Sequence, residues 1–323
     1  MPEPACLFGQ VTFIGIGLVN GSLARDMRRL GLARRLVATA TRQDGLDRAR
    51  ELGLVDEATT DTQAAVRDAD LVVIGVPVGA SGQVARVVAP ALRPDAVVTD
   101  VGSTKAQVIE LVSPHLDMRR FVPGHPVAGT EKSGPDAAVG GLFNGRWCIL
   151  TPVSGLTDEG AAARVAALWR AVGCKVDRMD PAHHDRVLAV TSHLPHLLAF
   201  SMVTTADHIE GVLKGEVLKY AAGGFTDFTR IAGASPAMWR DVFLQNKAAV
   251  LEVLGHYVDD LTALRDAIRT DEGDHLLRRF ESARAIRQEV VRAGQGYRRR
   301  PIDSDTGAHR HFGSKRPITV RAT

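Results

Sequence analysis

The chain has 323 residues, 45% hydrophobic and 24% charged, with a net charge of +3, a balance that suits a folded protein large enough for two domains. Cys6, Cys148 and Cys174 follow no metal or redox spacing and read as reduced thiols of a cytoplasmic protein. Residues 1–10 lack the basic-then-apolar order of a secretion signal, and no uninterrupted apolar run reaches the roughly 18 residues that span a bilayer.

From residue 11 to about 177, short β-branched runs alternate with helical patterns. Strands are predicted at 11–17, 36–40, 71–77, 96–102, 121–127, 146–153 and 175–180. Helices are predicted between them at 21–30, 43–52, 80–88 and 157–172. This alternation predicts an α/β Rossmann-type dinucleotide-binding domain, residues 1–180, with a mainly parallel sheet and helices on both faces. The near-continuous apolar run Leu71-Val72-Val73-Ile74-Gly75-Val76 fits a strand buried on both sides. After Asp180-Pro181 the period changes to helical, with helices at 183–205, 209–222, 236–265 and 272–293. An all-α domain over 181–295, apolar enough to pair two subunits, is therefore expected. Residues 296–323 hold seven basic and two acidic residues, a surplus of five that leaves the body at −2. The positive charge belongs to a tail with little to bury, expected to be disordered. Neither nucleic acid nor membrane is the expected partner, although a tail that contacts RNA or an acidic protein is an alternative.

The first strand runs into Gly15-Ile16-Gly17-Leu18-Val19-Asn20-Gly21-Ser22. Gly15 permits a tight turn, Gly17 admits a pyrophosphate to the backbone, and the following helix supplies free N–H groups, so NAD or NADP is the expected cofactor. Ile16 and Leu18 belong to the same loop, and Val76 and Pro77 follow the strand at 71. Asn20 stands where a third glycine is usual, and Gly21 is expected to take over the close packing. The second strand ends at Ala40-Thr41-Arg42, with no acid to hold a ribose 2′-hydroxyl. Thr41 removes a charge that would repel a 2′-phosphate and Arg42 is placed to pair with one, which makes NADP plausible. A solvated Arg42 is the alternative; Asp44 is read as lying in a turn beyond the strand.

Chemistry is expected at the carboxyl ends of the later strands. Ser103, in Asp100-Val101-Gly102-Ser103-Thr104-Lys105, either caps a helix or contacts substrate. His125, in Gly124-His125-Pro126-Val127-Ala128-Gly129-Thr130-Glu131, sits among turn formers that predict an imidazole presented to solvent and able to take a proton from a hydroxyl. In the helical half, His193 and His196 share a helix face after Ser192. No third ligand stands at metal spacing, so no metal is expected, and a core role for either histidine is the alternative. Arg230, in Gly223-Gly224-Phe225-Thr226-Asp227-Phe228-Thr229-Arg230, is a candidate carboxylate anchor or a structural ion-pair partner.

Taken together, these motifs resemble the prephenate dehydrogenase family, also called cyclohexadienyl or arogenate dehydrogenases, of tyrosine biosynthesis. The resemblance runs from about Val11 to Gln295. It rests on the Asp100–Ser103 and His125–Glu131 segments, Asn144-Gly145-Arg146-Trp147, Asp180 to Asp185, Ser192 to His196, and Gly223 to Arg230 with Trp239 beyond. It implies NAD(P)-dependent oxidative decarboxylation of prephenate to 4-hydroxyphenylpyruvate, or of arogenate to tyrosine. It also implies His125 as the catalytic histidine on the ring hydroxyl, with Ser103 beside that hydroxyl and Arg230 on the substrate carboxylate. His196, Ser192, Thr130, Glu131 and Gly223 would line the substrate pocket, and a homodimer would form through the helical domains. Two alternatives are a β-hydroxyacid dehydrogenase and a catalytically idle NAD(P) sensor. The first would need a lysine motif that Lys214, Lys219 and Lys247 do not form. Intact Ser103, His125 and Arg230 weigh against the second.

Overall fold

The computed structural model describes residues 6–130, 132–209 and 220–292. The predicted tail, most of the helix predicted at 209–222, and Glu131 lie outside the described residues. The chain divides into two compact units, 1–258 and 259–323.

The larger unit is built on six parallel strands: β1 (Phe8–Ile14), β2 (Ala33–Thr39), β3 (Glu57–Thr59), β4 (Leu71–Ile74), β5 (Val97–Asp100) and β6 (Phe121–Val122). Their order is β3-β2-β1-β4-β5-β6. Succession runs outward from β1 to β3 and then returns across β1 to β4, so the connections diverge between β1 and β4. That divergence opens a crevice at the carboxyl ends of these two strands, where doubly wound sheets bind ligands. Period-two alternation divides the apolar side chains between two cores. Leu71 and Val73 join Phe13, Leu23 and Trp169 on one face. Val72 and Ile74 join Val98, Val108 and Phe121 on the other. The connecting helices that matter for the site are α1 (Leu18–Arg29), α2 (Gln43–Glu51), α3 (Thr62–Val66), α4 (Ser81–Val88) and α5 (Ala106–Val112). β3 and α3 are not among the elements expected from sequence, and the helix expected to begin at Ser103 begins at Ala106.

The segment predicted as one strand over 121–127 is two. Pro123 has no N–H for a ladder, and the chain breaks there into β6 and β7 (Gly124–Pro126). β7 pairs antiparallel with β8 (Trp147–Leu150), and β8 pairs parallel with β9 (Lys175–Arg178), giving a second, mixed sheet. Helix α6 (Glu159–Ala171) lies between β8 and β9 in sequence.

Asp180 ends this half. Its carboxylate accepts the amides of Ala182 and His183 at 2.9 and 3.0 Å, and Pro181 occupies the first helical position, so α7 (Pro181–Leu188) starts two residues earlier than expected. A five-residue π-helical stretch, Ala189–His193, joins α7 to α8 (Leu194–Ile209). The combined helix 181–208 is long and apolar enough, at a mean hydropathy of 1.4, to cross a membrane by length and composition. Yet it carries His184, Asp185 and His193, polar side chains buried within its own unit. Then come α9 (Gly223–Thr229), α10 (Pro236–Gln245) and α11 (Lys247–Arg269). The helix predicted over 236–265 is thus interrupted at Asn246. In the second unit, α12 (Gly273–Val290) exposes Leu277, Phe280, Ile286 and Val290.

The glycine loop depends on Asn20. Its amide Nδ2 donates to the Gly15 carbonyl at 2.7 Å and to the Val73 carbonyl at 3.3 Å, tying the turn to β4. Gly21 packs closely, but against Ala138 rather than the sheet: a Cβ there would stand 2.9 Å from the Ala138 Cβ. Asn20→Ala is expected to cost about 1–3 kcal/mol, the penalty of leaving a buried carbonyl without its donor. Urea unfolding of the variant checks this.

Candidate active site

The dinucleotide cradle forms first. Gly15 has φ +81°, and a Cβ there would lie 2.7 Å from the Gly75 carbonyl oxygen and 3.4 Å from Val76. Only glycine satisfies both requirements. A Cβ on Gly17 would meet nothing within 4 Å, so its outer side is open. Gly17 is also the N-cap of α1. No side chain caps that helix, and no acid sits in its first turn. Its amide groups and the positive end of its dipole are therefore available to a diphosphate. Ile16 and Leu18 are buried beside the cradle, and Leu18 already belongs to the helix, which begins three residues earlier than expected. Val76 and Pro77 follow β4 on the neighbouring loop, half-buried and exposed. The donors and the open backbone fit a dinucleotide.

Thr41 and Arg42 follow β2 and are exposed. Arg42 is already paired: its Nε donates to Asp44 Oδ1 at 3.1 Å, with a second contact from its terminal nitrogen. Asp44 lies in the first turn of α2 rather than in a loop turn. The side-chain bond to Arg42 lowers its pKa.

His125 differs most from its sequence reading. It lies within β7, inside the span predicted as strand, but its ring is not presented to solvent: it is only 8% exposed. Its Nδ1 is 2.9 Å from His184 Nε2, with the two rings edge to face. The Nδ1 of His184 is in turn 2.8 Å from Asp185 Oδ1. The carboxylate of Asp185 also receives the amides of Lys105 and Ala106, at 2.7 and 2.9 Å, and so closes the amino end of α5. A carboxylate accepts only, which puts the His184 proton on Nδ1 and the lone pair on Nε2. His125 must then carry its own proton on Nδ1. Its Nε2 is left as a lone pair, the form required to accept a hydroxyl proton.

Burial, reinforced by His184, Lys105 and His193, holds the His125 pKa well below the usual histidine value. Burial likewise lowers His184, against the opposing pull of Asp185. The His125 imidazole is therefore neutral at physiological pH.

Beneath it lies a buried ion pair. Asp100, at the end of β5, receives the amides of Gly102 and Gly124 at 2.8 and 3.1 Å and contacts the Lys105 ammonium. Lys105 Nζ also donates to the Gly124 carbonyl at 2.7 Å. This pair fixes the loop that holds Ser103, which is half-buried. Ser103 does not cap a helix: α5 starts at Ala106 with Lys105 in the capping position, and Asp185 supplies the cap.

The helical segment contributes a second wall. Asn246 donates to the Asp185 carbonyl at 2.8 Å and to His193 Nδ1 at 3.0 Å, so the His193 proton sits on Nε2. That nitrogen and Trp239 Nε1 are buried without partners among the described residues. His196 stacks on Trp239 with ring centroids 3.6 Å apart, and its Nδ1 bonds to the Ser192 carbonyl at 2.9 Å. Burial lowers the His193 pKa to about 4. His196 is also lowered, by burial first and partly by the positive charge of Arg230, which stands within electrostatic reach. Arg230 ends α9, is exposed, and has no ion-pair partner among the described residues. Gly223 opens the same helix with open space where a Cβ would stand. Thr130 is exposed, its hydroxyl accepting the Lys132 amide at 3.2 Å.

The sequence reading gave no role to His184, Asp185, Asp100, Lys105 or Asn246. One signal did exist for His184 and Asp185: they stand four and three residues before Leu188, on the face that α7 buries. Nothing local marks the other three.

A Gly-rich turn into a helix N-terminus, in one unit with a buried histidine fixed as a proton acceptor, fits a nicotinamide-dependent dehydrogenase. Residues 23–178 match the family described as "Prephenate dehydrogenase, nucleotide-binding domain", and residues 180–282 match "Prephenate dehydrogenase, dimerization domain". Cyclohexadienyl dehydrogenase of Zymomonas mobilis is 40% identical over 281 residues, covering 87% of this chain and 96% of the relative. Among solved structures, prephenate dehydrogenase of Aquifex aeolicus, in complex with hydroxyphenyl propionate and NAD+, is 35% identical. It superposes at a TM-score of 0.82 over 87% of this chain and 98% of that one. Arogenate dehydrogenase of Synechocystis is 30% identical, with a TM-score of 0.75 over 87% and 99%. The chain belongs to the prephenate dehydrogenase family and is an NAD(P)-using oxidoreductase.

The buried histidines have a consequence for stability. A depressed pKa means that the unfolded chain takes up protons before the folded one does. Stability is fully present above the unfolded value of 6.5 and is lost as pH falls below it. For His193, with a folded value of about 4, the loss reaches about 3 kcal/mol. Urea midpoints measured between pH 7.5 and 5 are expected to fall steadily on acidification; a flat profile would contradict the burial of these rings.

Proposed function

We propose that this enzyme catalyses the NAD(P)-dependent oxidative decarboxylation of prephenate to 4-hydroxyphenylpyruvate, or of arogenate to tyrosine, with His125 as the base. The observation that carries the reading is the Asp185–His184–His125 chain, which leaves a neutral acceptor nitrogen on the strand that follows β6. The substrate is a cyclohexadienol bearing a carboxylate on the ring. Hydride leaves the hydroxyl-bearing carbon, positive charge grows there, and the His125 lone pair stabilises it through the hydroxyl proton. The bond from ring to carboxylate then breaks, carbon dioxide departs, and the electron pair completes the aromatic ring. Nicotinamide, when bound, supplies the hydride acceptor.

Ser103 is assigned to the hydroxyl beside His125, and Arg230 to a substrate carboxylate. His196, Ser192, Gly223, Thr130 and Glu131 are assigned to the pocket wall. The guanidinium of Arg230, without an ion-pair partner among the described residues, and its influence on the half-buried His196 ring support the anchor role over a structural ion pair. Gly15, Ile16, Gly17, Leu18, Val76 and Pro77 are assigned to the dinucleotide, with Thr41 and Arg42 at the 2′ position. NADP would have to draw Arg42 away from Asp44, so the two cofactors stand closer to parity than Arg42 alone implies. We assign residues 1–180 to the dinucleotide and 181–295 to substrate and pairing. A homodimer through the helices, in the cytoplasm, completes the reading. The family match over 180–282 and the apolar side chains exposed on α12 support the dimer.

One spectrophotometric assay of reduced nicotinamide over both substrates and both cofactors tests the activity directly. His125→Asn is expected to lower kcat by about 10²–10⁴-fold, the worth of a positioned base, with cofactor affinity unchanged. Unaltered turnover would remove His125 from the chemistry. Arg230→Ala is expected to raise KM for the preferred substrate by about 10- to 100-fold, as loss of a charged hydrogen bond implies. An unchanged KM would reduce Arg230 to a surface residue.

A further inference from the structure

Lys105 is a fully buried lysine in a motif to which the reaction assigns no task. It takes part in two sets of contacts that meet at the same ring. Its ammonium donates to the carbonyl of Gly124, the residue before His125, and pairs with Asp100. Its backbone amide, at the other end of the residue, donates to Asp185 Oδ1, the oxygen that also holds His184. The hydrogen bonds therefore form a closed circuit. It leaves the Lys105 side chain through Gly124 to His125, crosses to His184 and Asp185, and returns to the Lys105 backbone. Asp100 braces the circuit by receiving the amides of Gly102 and Gly124.

We propose that Lys105 is a positioning residue that sets both the placement and the tautomer of the His125 imidazole. The inference rests on the reading of His125 as the base. A lysine suits the task because its stem crosses the apolar interior while its head supplies up to three donors without forming an acceptor. Enclosed as it is, Lys105 touches no substrate. It acts on the reaction only by holding the backbone before His125 and the carboxylate behind it. Without the ammonium, Gly124 loses its donor and the start of β7 is free to shift. The His125–His184 bond then no longer enforces a single proton position.

The test is Lys105→Met, which keeps the stem and removes the charge. An unpaired Asp100 endangers folding, so Asp100→Asn/Lys105→Met is prepared beside it and read in the same way. The expected result is a kcat at least tenfold lower, with KM and cofactor affinity within about threefold of the parent. In nitrogen-15 histidine spectra, the His125 signals, assigned by their loss in His125→Asn, are expected to move from the single Nδ1–H form to a mixture. Lys105→Met with parental kcat overturns the proposal, and so does a lowered kcat with the His125 signals unmoved. If His125→Asn itself keeps full turnover, the reading of the base fails. If His125→Asn is inactive while Lys105→Met is fully active, only the role of Lys105 fails.

Discussion

One carboxylate joins the two halves of this enzyme. Asp185, from the first helix after the sheets, closes the amino end of α5 with two backbone amides and orients His184 with the same group. Charge-assisted hydrogen bonds of this kind contribute on the order of 1.5–3 kcal/mol each, and a helix N-terminus favours negative charge. The carboxylate belongs there for stability alone, and chemistry follows from the placement. Because the helical segment must dock for Asp185 to reach α5, His125 acquires its acceptor form only in the assembled unit. The acceptor form of His125 is a product of tertiary structure, and an isolated nucleotide-binding half would carry the histidine without its orientation.

The parts of the enzyme legible in sequence were those governed by local rules. Alternating strands and helices announced the parallel sheet, and Gly15 and Gly17 announced the cradle, because turn geometry and backbone approach act within a few residues. Asp180-Pro181 marked the change to helices for the same reason, as a cap followed by a residue preorganised for the first turn. His125 was found as a residue but misread as a surface group. Flanking Gly124 and Pro126 point to an exposed ring, whereas pairing of β7 with β8, 22 to 26 residues away, sets His125 in a buried strand. Lys105 and Asp185 are 80 positions apart, and no periodicity links them. Buried polar networks of this kind are written in tertiary contacts, and short-range pattern does not reach them.

The nucleotide loop shows how a departure from a motif is absorbed. Where a third glycine would bring helix and strand together by lacking a side chain, Asn20 provides one that bonds to both the turn and β4. Gly21, one position later, packs closely against Ala138 and Leu54, outside the sheet. A close approach has been exchanged for a polar tie, and the φ-positive turn at Gly15 is held from inside the fold.

The π-helical stretch at Ala189–His193 has a consequence of its own. An α-helix advances about 100° per residue, so each position fixes the direction of every later one. A wider turn inserts a rotational offset between the part of the helix that orients the His125 ring, at His184 and Asp185, and the part that carries His196 against Trp239. The bulge acts as a vernier between two sites on one rod. The side chains beyond the bulge can therefore be re-aimed without turning the carboxylate that orients His184 and, through it, His125.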